Sequence, residues 1–462
     1  MAESLAKEEA AVDARRSREL LDPLFTTEKM RAIFSDHGQL QAMLDFEAAL
    51  ARAAARAGAI PHAAGAAIAA HCRSERFDVR GLAAAAAQSG NTVIPLVRAL
   101  TALVGKSDTE AARYVHWGAT SQDAMDTGVV LQLREALAVF DGDLGRLSSG
   151  LAALAEQHAA TPLAGRTWLQ QGPPVTLGLK AAGFLSAVER HRVRLGEARS
   201  RAIVLQFGGA VGTLAALGSH AAAVANALGE ELELPVPDVP WHAQRDRVAE
   251  IATALGLMVG TLGKLARDVS LLMQTEVGEA TEASAPGRGG SSTMPHKRNP
   301  IGCAAILAAA TRVPALVSVM LAAMVQEHER GLGGWHAEWE TLPEICTLAA
   351  GALAQTIAVV EGLHVDAQRM STNLDLTHGL ILAEAVSMAL AAKLGKREAH
   401  AVVEEASARA ASERRSLRDA LAADARVTAQ LSAAELDRLL DPRHYLGESQ
   451  RLVARALAAR RG

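Results

Sequence analysis

The residues with the clearest chemical potential lie in Gly287-Arg-Gly-Gly-Ser-Ser-Thr-Met-Pro-His-Lys-Arg-Asn-Pro300. Gly287, Gly289 and Gly290 permit backbone angles that side chains resist. Ser291 and Ser292 then offer hydroxyls, Lys297 a cation and Asn299 an amide. Amides and a cation hold developing negative charge, and a hydroxyl beside them can exchange a proton. A Gly/Ser loop alone is ordinarily a connector. The full string sets this one apart.

A second polar run is His116-Trp-Gly-Ala-Thr-Ser-Gln-Asp-Ala-Met-Asp-Thr127. Thr120 and Ser121 stand just before a long helical pattern, where backbone N–H groups and hydroxyls favour an anion. Capping alone would account for Ser121. The run T-S-x-D-x-x-D-T is more than a cap requires. His116, beside Trp117, reads equally as a packed side chain or as a ligand-holding one. In Gly90-Asn-Thr-Val-Ile-Pro-Leu-Val97, Asn91 marks a turn and Pro95 can start a helix. The Asn91 amide could reach a carboxylate. Gly165-Arg-Thr-Trp-Leu-Gln-Gln-Gly-Pro-Pro174 reads as a loop whose prolines open the next helix. Gln326 to Glu340 is polar and aromatic amid apolar helices.

Long helices must position these segments. Leu133, Leu137, Phe140, Leu144, Leu147, Leu151 and Leu154 recur at spacings of four and three. Val248, Ile251, Leu255, Met258, Leu262, Leu265, Val269 and Leu272 do the same. Such seams belong to long, nearly parallel packed helices. Roughly 30 residues would span about 45 Å, which suggests a bundle whose apolar stripes are covered by other subunits. No strand alternation of comparable quality appears. Thr26 or Thr27 should cap a first helix, and helical pattern runs through Phe34, Leu40, Met43 and Leu50 to a stop at Gly58, before Pro61. The expected organisation is a tail over 1–20, an N-terminal helical domain over 21–126, a central long-helix domain over 127–364 and a small C-terminal helical domain over 365–462.

Half the residues are hydrophobic but only 3% are aromatic, which favours close-packed helices of Ala, Leu and Val. The net charge of -4 gives no whole-chain attraction to nucleic acid or anionic membrane. An anionic substrate would have to be met by local cations, with Arg113, Arg298 and Arg330 as candidates. Cys72, Cys303 and Cys346 are far apart and read as reduced core thiols in a cytoplasm. No apolar run reaches membrane-spanning length, and residues 1–20 contain no apolar secretory segment. Neither H-E-x-x-H nor a nucleotide-binding glycine loop is present in the sequence.

The string G-S-S-x-M-P-x-K-x-N resembles the signature of the fumarase/aspartase superfamily. T-S-x-D-x-x-D-T is similar to a second motif of that superfamily, close to the form seen in adenylosuccinate lyases. The resemblance covers the chain from about Leu21. It implies an all-α fold of three helical domains, with a central long-helix bundle forming the core of a homotetramer and active sites shared between subunits. The implied chemistry is addition or elimination beside a carboxylate through an enolate-like dianion, without a cofactor. Ser291 then matches the serine that exchanges the α-proton, with Ser292 as its neighbour. Lys297 and Asn299 match groups that hold the reacting carboxylate and complete the catalytic set. Asn91, His116, Thr120, Ser121, Gln170, Met294 and Arg298 fall in the implied substrate-binding set, with Ser292 and Trp168.

Trp168 is the informative departure. Many members carry G-R-T-H here, and that histidine does acid/base work at the leaving group. A tryptophan donates an N–H bond but shuttles no proton at neutral pH. A carboxylate leaving group needs no acid, so the substitution points to a lactonising branch. G-N-T-V-I-P-L-V, H-W-G-A-T-S-Q-D and G-L-G-G-W-H-A-E-W-E are also similar to that branch. The implied substrate is a tricarboxylate, 3-carboxy-cis,cis-muconate, closed to 4-carboxymuconolactone in aromatic catabolism. The alternative is adenylosuccinate lyase-like C–N elimination releasing fumarate.

Ser291→Ala should lower turnover at least about a hundredfold while substrate binding survives, and Ser292→Ala should cost less. Steady-state kinetics of the two variants decide which hydroxyl exchanges the proton, and the reverse order would reassign it to Ser292.

Overall fold

The computed structural model describes residues 20–283, 289–290, 293–294 and 296–461. Ser291, Ser292 and Gly287 lie outside the described residues, as does the tail up to residue 19. The fold is all-α apart from two small two-stranded sheets among the described residues.

Thr27 is the N-cap of helix α1 (Glu28–Ile33), and its hydroxyl accepts from Met30 N at 3.2 Å. The pattern read as continuous through Phe34 is interrupted there. Ser35 caps a new helix, α2 (Asp36–Arg56), by accepting from Gly38 N at 3.0 Å. A side chain at Gly38 would place Cβ 2.4 Å from Ile33 O, so glycine permits the tight join. Gly58, at φ +73°, ends the run as expected.

Helix α3 (Val93–Gly105) precedes the long elements. These are α4 (Ser121–Gln157), α5 (Leu177–Ala202), α6 (Asp246–Leu272), α7 (Ile301–Ala322) and α8 (Gly334–Glu361). Helix α4 has 37 residues, about 55 Å at the ordinary rise. Its seam is buried from Leu133 to Leu151, and every seam position of α6 from Val248 to Leu272 is buried too. Regular apolar spacing is therefore what makes these helices, by giving each a continuous stripe to remove from water.

The stretch over 165–174 is no loop opening a helix. Strands β1 (Pro162–Thr167) and β2 (Gln170–Thr176) form an antiparallel hairpin with a bulge between Ala164 and Gly165. Both Pro173 and Pro174 sit within β2, which pairs on one side only, where a missing N–H is tolerated. A second sheet pairs β3 (Ala280–Thr281) with β4 (His364–Val365).

The chain gathers into two compact units. One takes the chain up to Leu144, His191–Gly263 and Ala305–Ala354; the other takes Gly145–Arg190, Lys264–Ala304 and the chain from Gln355. Helices α4 to α8 each contribute residues to both. In the second unit, Val386, Leu390, Val402, Val403, Leu417, Leu421 and Leu436 are among the residues of a buried cluster of C-terminal helices. Cys72, Cys303 and Cys346 are buried free thiols.

Contrary to the expectation that no apolar run reaches that length, α6, α7 and α8 are by length and composition apolar enough to cross a membrane. The apolar windows of α6 and α8 are 61% and 67% buried within the chain, against only 28% for α7.

Among the described glycines, Gly351 on α8 has the least room for a side chain: an added Cβ would lie 2.1 Å from Phe25 O. Alanine would gain about 1 kcal/mol of helix propensity, but overpacking costs about 1–3 kcal/mol, more against fixed backbone. Gly351→Ala should lower the thermal unfolding midpoint. An unchanged or raised midpoint by calorimetry would show that the contact yields freely.

Candidate active site

In the first unit, a turn joins residues 115–120 to the start of α4. His116 has φ +61° and Gly118 φ +75°. A side chain at Gly118 would meet Leu217 Cδ2 at 2.6 Å, so the turn needs glycine there. The His116 Nδ1 lies 2.6 Å from Oε1 of Glu47, a fully buried carboxylate on α2. Burial works against the charged imidazole, but Glu47, by charge and hydrogen bond, and Asp123 outweigh it and raise the His116 pKa above its ordinary value.

Asp123 fastens the start of α4. It accepts from Thr120 N at 3.0 Å, Gly208 N and Gly209 N at 2.9 Å each, and pairs with His242 Nε2 at 2.7 Å. A Cβ at Gly208 would lie 2.8 Å from both His242 Cε1 and Pro240 Cβ, so only glycine lets this backbone reach the carboxylate. Thr120 Oγ1 accepts from Arg330 Nη1 at 3.1 Å, and Arg330 also donates to Ala210 O at 2.8 Å. Ser121 is the first residue of α4 rather than the residue before it. His116, Thr120 and Arg330 thus gather around the α4 N-terminus, where backbone N–H groups and the helix dipole attract anions. The Asn91 Oδ1 accepts from Val93 N at 3.1 Å and Ile94 N at 3.0 Å and caps α3, so only its Nδ2 could donate to a ligand.

Other motif residues build rather than bind. Asp126 accepts from Arg245 at 2.7 and 3.0 Å and from Trp335 Nε1 at 3.0 Å. Arg245 also donates to Glu338 at 2.5 Å. Burial opposes the Arg245 charge, yet Asp126 and Glu338 more than offset it and raise its pKa. Thr127 Oγ1 donates to Gln206 O at 2.7 Å and accepts from Gln206 N at 3.1 Å.

In the second unit, the β1–β2 hairpin turns at Trp168 and Leu169, with φ +52° and +63°. Two successive non-glycine residues in the left-handed region are costly. Their side chains are 98% and 78% exposed within the chain, and Gln170 beside them is exposed too. At the hairpin base, Arg166 grips buried Glu279 through two bonds of 2.9 and 2.6 Å. Asn373 donates to Glu279 at 2.8 Å, and Gln171 donates to Asn373 O at 3.0 Å.

The glycine loop is described in part. Gly290 bridges Arg298 in antiparallel fashion, and Asn299 N donates to Gly289 O at 2.8 Å. Gly289 has φ +69°, and a Cβ there would lie 2.9 Å from Asn299 O. Lys297, Arg298 and Met294 are exposed, and Asn299 is half-buried. Beyond the loop, Glu282 accepts from Gly302 N at 3.0 Å and Cys303 N at 2.8 Å and caps α7. Thus Asn91, His116, Thr120 and Ser121 belong to the first unit, and Trp168, Gln170, Met294, Lys297, Arg298 and Asn299 to the second.

Sequence reasoning missed Glu47. Its signal was present: Leu40, Met43, Leu44, Leu50 and Ala51 define the apolar face of α2, and Glu47 stands on it by helical spacing. A carboxylate on a buried face demands a partner.

The sequence matches the family described as Lyase over residues 25–315 and the one described as Adenylosuccinate lyase C-terminus over 379–456. The chain belongs to the lyase family of the fumarase/aspartase superfamily. Among its relatives, the 3-carboxy-cis,cis-muconate cycloisomerase of Pseudomonas aeruginosa is 62% identical over 442 residues, which cover 96% of each chain. The crystal structure of the 3-carboxy-cis,cis-muconate lactonizing enzyme from Pseudomonas putida matches with a TM-score of 0.92 at 58% identity, covering 96% of this chain and 99% of that one. The β-carboxy-cis,cis-muconate cycloisomerase of Acinetobacter calcoaceticus matches with a TM-score of 0.90 at 42% identity, covering 95% and 100%.

Arg245→Ala would leave Asp126 and Glu338 buried without their counter-ion. Loss of one partner from such a cluster costs about 3–5 kcal/mol, so denaturant unfolding should shift by that order. A shift below about 1 kcal/mol would mean that water reaches the cluster.

Proposed function

We propose that the chain catalyses the intramolecular lactonisation of 3-carboxy-cis,cis-muconate to 4-carboxymuconolactone. The names of its relatives support the substrate. The observation that favours this reaction over C–N elimination is Trp168 at the hairpin tip, where an elimination of the adenylosuccinate type wants a proton-shuttling histidine.

In this reading, one substrate carboxylate oxygen bonds to a carbon of the conjugated double bond. The π pair moves toward the neighbouring carboxylate and forms an enolate, and a proton delivered to the α-carbon completes the lactone. No atom is lost, and no electron leaves the substrate. Ser291 is the proton donor. Lys297 and Asn299 hold the carboxylate on which charge develops, where a preorganised cation and amide act most strongly. Thr120 and Ser121 at the α4 N-terminus, with His116 and Asn91, receive a second carboxylate. Arg298, Gln170, Met294, Ser292 and Trp168 shape the remainder. Orientation of the internal nucleophile supplies much of the acceleration.

The active form we propose is a cytoplasmic homotetramer with sites completed by neighbouring copies. Two observations support it: the largely uncovered apolar surface of α7, and the exposed Trp168 and Leu169 on their strained turn. Residues 21–126, 127–364 and 365–462 are taken as the parts of each protomer, and the separate C-terminal family match over 379–456 fits the last.

The test offers 3-carboxy-cis,cis-muconate and adenylosuccinate separately and follows each chromophore. Turnover of the tricarboxylate alone is expected; turnover of adenylosuccinate alone would overturn the reading. Trp168→His should lower lactonisation, gain no useful adenylosuccinate cleavage and disturb the pH profile near about 6.5. Because Trp168 is exposed within the chain, this variant tests chemistry with little loss of internal packing. A rate gain that follows the new histidine's titration would show that lactonisation wants an acid/base there.

A further inference from the structure

Glu47 is a carboxylate in a place that resists one. It sits on the apolar face of α2, between Met43 and Leu44 on one side and Leu50 and Ala51 on the other, with its side chain fully buried. Its Oε1 meets His116 Nδ1 at 2.6 Å, and its Oε2 has no hydrogen-bond partner among the described residues. An ionised carboxylate so placed is stable only against a nearby positive charge. His116 is itself held in the left-handed backbone region at φ +61°, which a non-glycine residue adopts under constraint. Its side chain remains 15% exposed.

We infer that Glu47 is the positioning residue and counter-ion of His116, fixing its ring through Nδ1 and keeping it cationic so that Nε2–H binds a substrate carboxylate. The inference rests on the lactonisation reading for the identity of the ligand. With Nδ1 engaged by Glu47, the ring orientation is set and Nε2 is the nitrogen left for a ligand. The charged groups acting on the ring are Glu47 from α2 and Asp123 from α4. Asp123 is engaged by His242, Thr120 N, Gly208 N and Gly209 N, and Arg330 reaches the same segment through Thr120. Glu47 therefore stands as the main support of the cation, and the raised His116 pKa agrees with this geometry. The sign follows. A raised pKa keeps the imidazolium populated at neutral pH, and substrate affinity declines as pH climbs through it.

Glu47→Gln preserves shape and a hydrogen-bonding group but removes the charge. At pH of about 8, above the ordinary histidine range, its KM for 3-carboxy-cis,cis-muconate should exceed that of the wild type severalfold, because the uncharged amide no longer supports the His116 cation. The two KM values should converge well below about 6.5, where histidine is cationic without help. The change should fall on KM more than on kcat. A KM ratio that stays constant across pH, or no change at all, would leave Glu47 a structural residue and overturn the proposal. A substrate-free measurement separates this from failure of the lactonisation reading. In histidine-labelled wild type, with the signal assigned by its loss in His116→Asn, the His116 resonance should titrate above about 6.5, and in Glu47→Gln lower than in the wild type. Wild-type titration at or below that value would overturn the proposal, even if the variant fails to fold.

Discussion

One buried carboxylate organises the first unit. Asp123 receives the Thr120, Gly208 and Gly209 amides and the His242 ring, and so ties the first turn of the longest helix to a glycine pair and an imidazole distant in sequence. Its oxygens are directed to protein donors. Glu47 does the same for His116 at lower redundancy, with one bond where Asp123 has several. These two carboxylates are among the contacts that fix the polar turn from His116 to Ser121.

Each motif contains residues that are consumed by internal hydrogen bonds and ion pairs. In T-S-x-D-x-x-D-T, both aspartates and the second threonine are consumed internally, and the leading threonine accepts from Arg330. In G-L-G-G-W-H-A-E-W-E, Trp335 and Glu338 complete the buried ion cluster on Arg245. In G-R-T-W, Arg166 anchors the hairpin on Glu279, and the tryptophan stands outside. The resemblance carried by each motif is therefore partly one of scaffold, and the chemistry rests on fewer side chains than the motifs contain.

The helices were legible because burial imposes a period, and α4 and α6 keep that period over their whole seams. The hairpin was not legible. Its turn is Trp-Leu, where a two-residue hairpin ordinarily carries Asn-Gly or Asp-Gly, and Pro173-Pro174 resembles a helix start. Trp168 and Leu169 take up the left-handed turn without the residues that favour it, so propensity points the wrong way there. The break at Ser35 was obscured because apolar residues flank it on both sides at helical spacing. Of the expected site residues, His116 and Thr120 lie together in the turn before α4, held by Glu47 and Arg330. Asn91 was ambiguous between cap and ligand, and its carbonyl proves to cap α3. Glu47 was hidden among the alanines of a core helix.

The account holds that a carboxylate already in the substrate closes the ring, while the protein orients it, holds the charge and delivers one proton. This explains why a site assembled from lyase parts can do without a histidine at position 168. The most direct measurement is mass spectrometry of the product formed in water enriched in heavy oxygen. The account predicts a product isobaric with the substrate and free of label, because no water is added. A product that gains the mass of labelled water would make water the nucleophile and contradict the account.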